Sequence, residues 1–129
     1  MAHPIQVILM RQLAGYLNVP VFLVDPKGSL LFYNEPAEAV LGRRFAETGV
    51  MPAAEWSSVF TVVDDRGKAM RPEELPLMIA LTERRPANTH FTIKGLDGVA
   101  RRVEVTAIPI TGLEGEVLGA AAIFWELAG

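Results

Sequence analysis

Residues 20–42 read PVFLVDPKGSLLFYNEPAEAVLG, and their first half predicts a β-hairpin. The apolar runs Val21–Val24 and Leu30–Tyr33 have the length and composition of strands. Between them, residues 25–28 read DPKG, which places Asp, Pro and Gly at the first, second and fourth positions of a type I turn. We therefore expect two adjacent antiparallel strands at this point of the chain.

A short helix follows the hairpin. Asn34 is a favoured N-cap residue, and Pro36 lies in the first turn, where a missing N–H is tolerated. Ala37–Leu41 form the body of this helix, and Gly42 ends it. Residues 20–42 thus predict a strand, a turn, a strand and a helix in that order.

The N-terminal segment, residues 4–18, predicts a helix with a wide apolar surface. At about 100° per residue, Arg11, Gly15 and Asn18 form its only clearly polar stripe. A helix that packs on one surface needs a narrower apolar band, so this helix is expected to bury two sides. An exposed apolar stripe is typical of an interface. We therefore predict a homodimer in which residues 1–19 form an amphipathic dimerisation helix, with interface residues Ile5, Leu9, Leu13 and Tyr16.

The rest of the chain predicts an irregular connection, a helix and three strands. Residues 43–72 predict the connection, with one or two short helical turns, because Gly and Pro interrupt their apolar residues. Residues 71–86, RPEELPLMIALTERRP, predict one helix with acids at its start and bases at its end. This order of elements indicates an α+β fold on an antiparallel sheet. The three strands are expected at His90–Lys94, Arg101–Ile110 and Val117–Glu126.

Three blocks of the chain, taken in order, resemble the PAS domain family. Residues 20–42 resemble its opening strands and helix, residues 71–86 resemble the long helix of one PAS subgroup with its internal Glu-Leu-Pro, and residues 97–126 resemble its closing half. We therefore assign residues 20–129 to a PAS-like domain. The resemblance implies a five-stranded sheet in the order 2-1-5-4-3, with helices on one face and the N-terminal helix flanking it. It also implies sensing, signal transduction and regulation of transcription, with output through a signalling protein in another chain.

Composition limits the classes of function. The 129 residues suit one domain, half of them are hydrophobic, and the net charge is −3 with scattered Lys and Arg. Binding to nucleic acid is therefore not expected. No apolar run is long enough to span a membrane, and the first ten residues lack the pattern of a signal peptide. These features, with the absence of cysteine, lead us to expect a cytoplasmic protein.

Metal, haem and covalent flavin sites are not expected. His90 is the only histidine outside the first residues, and a metal site normally needs several converging ligands. The PAS resemblance would place a haem ligand on the long helix, which contains no histidine here. A flavin photoadduct of the LOV type needs a cysteine. A non-covalently held flavin stays open, with Trp56 or Trp125 stacking on it, although aromatic residues at such positions are more often part of a core.

No catalytic residue is predicted. Asp64, Asp65 and Asp97 lie beside turn glycines, where Asp bonds to its own backbone. Glu73 and Glu74 lie at a predicted helix start, where acids are favoured in any case. The pair Ser57-Ser58 has no nucleophile-elbow setting.

A small, largely apolar ligand is expected inside the domain. Residues 119–122 read GAAA and would lie on a central strand, where small side chains leave space that something must fill. The filler is either such a ligand or bulky side chains from the helices. The predicted pocket residues are Phe22, Val24, Leu30, Phe32, Phe45, Trp56, Leu77, Met78, Leu81, Phe91, Ile93, Val105, Ala107, Ala120 and Ala122.

Two alternatives to a ligand-binding sensor stay open. One is a small α+β enzyme, isomerase-like or thioesterase-like, which needs a buried carboxylate. Glu104 is the only acid placed inside the body of a predicted strand and is its candidate. The other is a dimerisation module with a filled core and no ligand.

Overall fold

A computed structural model describes residues 4–42, 44–52, 54–56, 61–96 and 98–127. Within these ranges, six antiparallel strands form one sheet. They are β1 (Val21–Val24), β2 (Leu30–Tyr33), β3 (Thr61–Val63), β4 (Ala87–Lys94), β5 (Ala100–Thr111) and β6 (Val117–Glu126), and their spatial order is β2-β1-β6-β5-β4-β3. The residues Ser57, Ser58 and Asp97, considered above as catalytic or turn residues, lie outside the described ranges.

The α+β class and the antiparallel sheet are confirmed, but the predicted number of five strands is wrong. The sixth strand, β3, pairs Thr61, Val62 and Val63 with Lys94, Ile93 and Thr92 of β4. Three residues are too few to produce a readable alternation of apolar and polar side chains. Long-range pairing with β4, rather than local sequence, defines this edge strand.

The helices divide between the two faces of the sheet. On one, the inner face, lie α2 (Glu35–Leu41), a helical turn at residues 54–56 and α4 (Pro76–Glu83), which pack on the larger apolar cluster. A four-residue helix, α3 (Phe45–Thr48), lies near the β2 edge. On the opposite, outer face lies α1 (Ile5–Tyr16), whose Val7 packs on a second cluster with Leu23 and Leu31.

The predicted helix over residues 71–86 is divided in two. Pro72–Glu74 form a 3-10 turn, and the α-helix begins only at Pro76. Leu75 between them has φ −75° and ψ 143°, because a residue before proline is driven out of the helical region. The helix ends at Glu83, one residue before Arg84 adopts a left-handed conformation with φ 57°.

Asn34 joins four parts of the chain. It is 3% exposed and is the only buried polar residue in the described ranges. Its Nδ2 donates to the carbonyl oxygens of Ala14 at the end of α1 and of Val19 in the following link, both at 2.9 Å. Its Oδ1 accepts from the backbone N–H groups of Val21 at 3.0 Å and Ala37 at 3.1 Å. The predicted N-cap is confirmed, and the same side chain also fixes α1 to the start of β1.

We expect Asn34→Ala to lower the free energy of unfolding by about 2–6 kcal/mol, since four hydrogen bonds contribute roughly 0.5–1.5 kcal/mol each. Urea denaturation followed by circular dichroism measures the change. Asn88→Ala is the control, because Asn88 bonds to Glu104 and Thr106 on the exposed side of the sheet. Equal losses in the two variants would contradict the central role of Asn34.

Candidate functional site

The inner face encloses an apolar cavity of about 40 Å³ between the sheet and α4. Strands β1, β2, β3, β4, β5 and β6 supply its floor and sides, while the segment before α4 and the helix itself close it. The cavity is lined by Phe22, Leu30, Trp56, Val62, Leu75, Pro76, Leu77, Phe91, Ile93, Val105, Ala122 and Phe124.

Eight of the fifteen predicted pocket residues line this cavity. They are Phe22, Leu30, Trp56, Leu77, Phe91, Ile93, Val105 and Ala122. Val24, Ala107 and Ala120 belong to the same buried cluster without lining the cavity. Sequence reasoning missed Val62, Leu75, Pro76 and Phe124. Phe124 was readable from strand alternation, because it lies two positions after Ala122 on β6.

Phe32 lies on the outer face, opposite to the predicted side. Simple alternation places Leu30 and Phe32 together, but a bulge interrupts the ladder, since Leu23 pairs with Phe32 while Val24 pairs with Leu30. The extra residue, Leu31, therefore faces outward with Phe32. Tyr33 takes the inner position instead.

Three predicted residues on helices lie away from the cavity. The Phe45 ring meets the edge of Phe32 at 5.2 Å and of Tyr33 at 5.4 Å between centroids, at the β2 side of the sheet. Leu81 packs half-buried against the inner cluster, and Met78 is half-buried without lining the cavity. Of the three predicted pocket residues on α4, only Leu77 therefore lines the cavity.

Trp56 fixes the wall of the cavity to the first hairpin. Its indole is 5% exposed, and Nε1 donates to the Gly28 carbonyl oxygen at 2.7 Å. That hairpin turn is itself held by Asp25, whose Oδ1 accepts from the N–H groups of Lys27 and Ser29. The polar atom of Trp56 is therefore satisfied by backbone, and its rings contribute only apolar surface to the cavity.

The polar candidates lie on the outer face. Glu104 is half-buried there and accepts a hydrogen bond from Asn88 at 3.1 Å. His90 Nε2 contacts Asp65 Oδ2 at 2.5 Å, and Arg102 lies 3.4 Å from the same carboxylate. These contacts are exposed, and the sheet separates them from the cavity. Among the described residues no group of three His, Asp or Glu side chains could hold a metal ion.

The cavity does not fit a haem or a flavin. Sites for ligands of that size occupy roughly 300–1,000 Å³, whereas this cavity has about 40 Å³ and entirely apolar lining side chains apart from the engaged indole N–H. Trp125, a candidate for flavin stacking, lies 44% exposed beside Glu104 on the outer face.

Solved structures share this architecture. The fold is similar to the PAS domain of Bordetella pertussis BvgS, with 20% identity over 96% of this chain and 87% of that chain, at a TM-score of 0.66. The chain has the PAS fold. A Rhodobacter sphaeroides LOV protein matches this PAS fold at 15% identity and a TM-score of 0.73, over 97% of this chain and 69% of that chain.

A third similar structure is a PAS domain from a potassium channel. The PAS domain of the fruit-fly ELK potassium channel matches at 9% identity and a TM-score of 0.71, covering 95% of this chain and 97% of that domain. No protein-family model and no curated protein sequence matches the chain. The three-dimensional arrangement therefore confirms the PAS fold that the three blocks of sequence predict. None of the helices in the described ranges is long and apolar enough to cross a membrane.

Filling the cavity from Ala122 tests its size. We expect Ala122→Val to raise the free energy of unfolding by about 0.5–2 kcal/mol by filling empty space. Ala122→Phe should lower it by about 1–3 kcal/mol, because a ring exceeds the space available. Urea denaturation measures both. Ala39→Phe, at an exposed position of α2, is the control for adding a ring and should change little; a harmless Ala122→Phe would show that the core is looser than described.

Proposed function

We propose that this chain is a non-enzymatic sensory module that works as a homodimer and relays a signal through α1. The observation that carries the proposal is the position of α1, which packs on the sheet by one side and turns an apolar stripe away from it. The PAS fold, shared with the PAS and LOV structures above, supports the role in signal transduction.

The apolar stripe suits a two-fold interface. Val7 and Ala14 of α1 are buried against the domain, whereas four apolar residues on the opposite side of the helix are exposed. An exposed apolar stripe of four residues favours association with an equivalent surface. Its members are Ile5 at 65%, Leu9 at 56%, Leu13 at 51% and Tyr16 at 89% exposure.

Contacts across the sheet support a relay from the cavity to this stripe. Phe22 and Leu30 line the cavity, and their chain neighbours Leu23 and Leu31 contact α1 from the outer face. A displacement of β1 or β2 by an inner ligand therefore changes the surface on which Val7 rests. Asn34 holds the other end of α1 to the same two strands.

The proposed ligand is small and apolar. At about 40 Å³, the cavity accepts only a few heavy atoms unless Leu77 or Val62 moves. The same small volume favours a second candidate function, a dimerisation module with a filled core. Native mass spectrometry of freshly purified protein separates the two, because it reports the mass of a retained ligand and the oligomeric state together.

Catalysis is not part of the proposal. An acid–base mechanism needs a titratable group at the reacting position, and the cavity side chains offer none. Glu104, the candidate for an isomerase-like or thioesterase-like enzyme, faces the other side of the sheet. We further propose a cytoplasmic protein that passes its signal to another protein and binds neither nucleic acid nor membrane.

The dimer interface is tested by the double variant Leu9→Glu/Leu13→Glu. We expect a folded monomer, because two carboxylates in an apolar interface would be desolvated without partners. Multi-angle light scattering measures the mass, and circular dichroism verifies the fold. Leu96→Glu/Val99→Glu adds the same two charges at exposed apolar positions between β4 and β5, away from α1, and should stay dimeric. A dimeric Leu9→Glu/Leu13→Glu variant would place the interface elsewhere.

The purified protein should be colourless. We expect neither a haem Soret band nor flavin absorbance, because the cavity does not fit either group and the chain has no cysteine. An absorption spectrum of protein purified without denaturant measures this. A visible chromophore at one equivalent per chain would overturn the proposal of a small apolar ligand.

A further inference from the structure

A groove on the outer face is separate from the inner cavity. It runs between α1 and the β2 edge of the sheet, is open to solvent along one side, and has a volume of about 810 Å³, which gives room for a small molecule. Leu23 and Leu31 form its apolar floor. Val7, Ile8 and Gly15 of α1 form one wall, and Phe32, Phe45 and Val50 form the other.

Arg11 is the single charged residue among those that line this groove. Its guanidinium carbon lies 4.7 Å from the centroid of Phe32 and 5.7 Å from that of Phe45. Cation–π contacts of this kind hold a guanidinium against an apolar surface. The rings thus position Arg11 at the wall of the groove.

The positive charge of Arg11 has no counter-charge in the described part of the chain. No ion pair or hydrogen bond joins Arg11 to any described residue, and none of the residues lining the groove is acidic. The other polar side chains at the groove are those of Gln12 and Tyr16, which carry no charge. The groove therefore combines an apolar surface with one guanidinium group, whose paired N–H donors match the two oxygens of a carboxylate.

We propose that this groove binds a small amphipathic carboxylate, a molecule with one carboxylate group and an unbranched or flat apolar body. The carboxylate accepts two hydrogen bonds from Arg11, and the apolar body lies on Leu23 and Leu31 between the two walls. This site goes beyond the proposed sensing function, since it is separate from the inner cavity and shares only Tyr16 with the outward stripe. Its ligand would contact α1 directly.

Decanoate, kept below its micelle concentration, is the probe. Titration of ¹⁵N-labelled protein should produce saturable shifts in the amides of Gly15 and Gly49 and in the Arg11 Nε–H signal. Decanol has the same chain without the charge and should bind at least about ten-fold more weakly, since a hydrogen bond to a charged group contributes about 1.5–3 kcal/mol. Shifts centred instead on Phe91 and Ala122 would overturn the proposal in favour of the inner cavity.

Two variants and one control locate the site. Arg11→Gln should weaken decanoate binding at least about ten-fold and leave the weak binding of decanol unchanged. Gly15→Leu should abolish binding by filling the groove, and the fold tolerates it because a Cβ at Gly15 meets no atom within 4 Å. Gln6→Leu adds the same side chain at an exposed position outside the groove and should bind normally.

Three further results would overturn the assignment: equal affinity for decanoate and decanol, an unchanged affinity in Arg11→Gln, or equal weakening in Gly15→Leu and Gln6→Leu. Light scattering on the same samples separates this inference from the proposed function. Arg11→Gln keeps the stripe at Leu9 and Leu13 intact and should remain dimeric, so either proposal can fail while the other stands.

Discussion

A single buried side-chain amide connects the outer helix α1 with the sheet and with the inner helix α2. Asn34 can make two donations and accept at two positions on its oxygen, and all four are engaged by backbone groups from separate parts of the chain. A buried polar group is stable only when it is hydrogen-bonded. Displacing the end of α1, β1 or α2 would therefore leave part of the buried amide without a hydrogen bond. This requirement fixes the position of the outer helix relative to the inner core.

The filling of the core follows from the small residues of β6. Ala120, Ala121 and Ala122 lie at the sheet centre with no exposed surface, between β1 on one side and β5 on the other. On the inner face, the rings of Phe22 and Phe124 pack in the same buried cluster as Ala120 and Ala122, with their centroids 5.0 Å apart. Side chains of the sheet itself thus supply much of the filling, which explains why the cavity is small.

Local sequence determined much of the fold. The bounds of β1, β2 and β6 agree with those predicted, because turn residues with specific backbone preferences flank each apolar run. The features that sequence reasoning missed depend on distant or subtle constraints: β3 exists through its pairing with β4, and the bulge at Leu31 reverses the side on which Phe32 lies. The break before Pro76 was readable, since proline restricts the residue that precedes it. The groove at Arg11 could not be predicted from the sequence, because it forms only where α1 packs on the sheet.

The central position of β6 also constrains how the chain folds. Val21 pairs with Ile123 and Val24 pairs with Ala120, so the first strand finds one of its two neighbours about a hundred residues later. Contacts between distant positions slow folding, because the entropy of closing a long loop is lost before the contact forms. During synthesis on the ribosome, the edge of β1 that later pairs with β6 stays unpaired until residues 117–126 have emerged. Such an edge is a site for aggregation, and rapid docking of α1 on Leu23 and Leu31 would shield part of the hairpin surface in that interval.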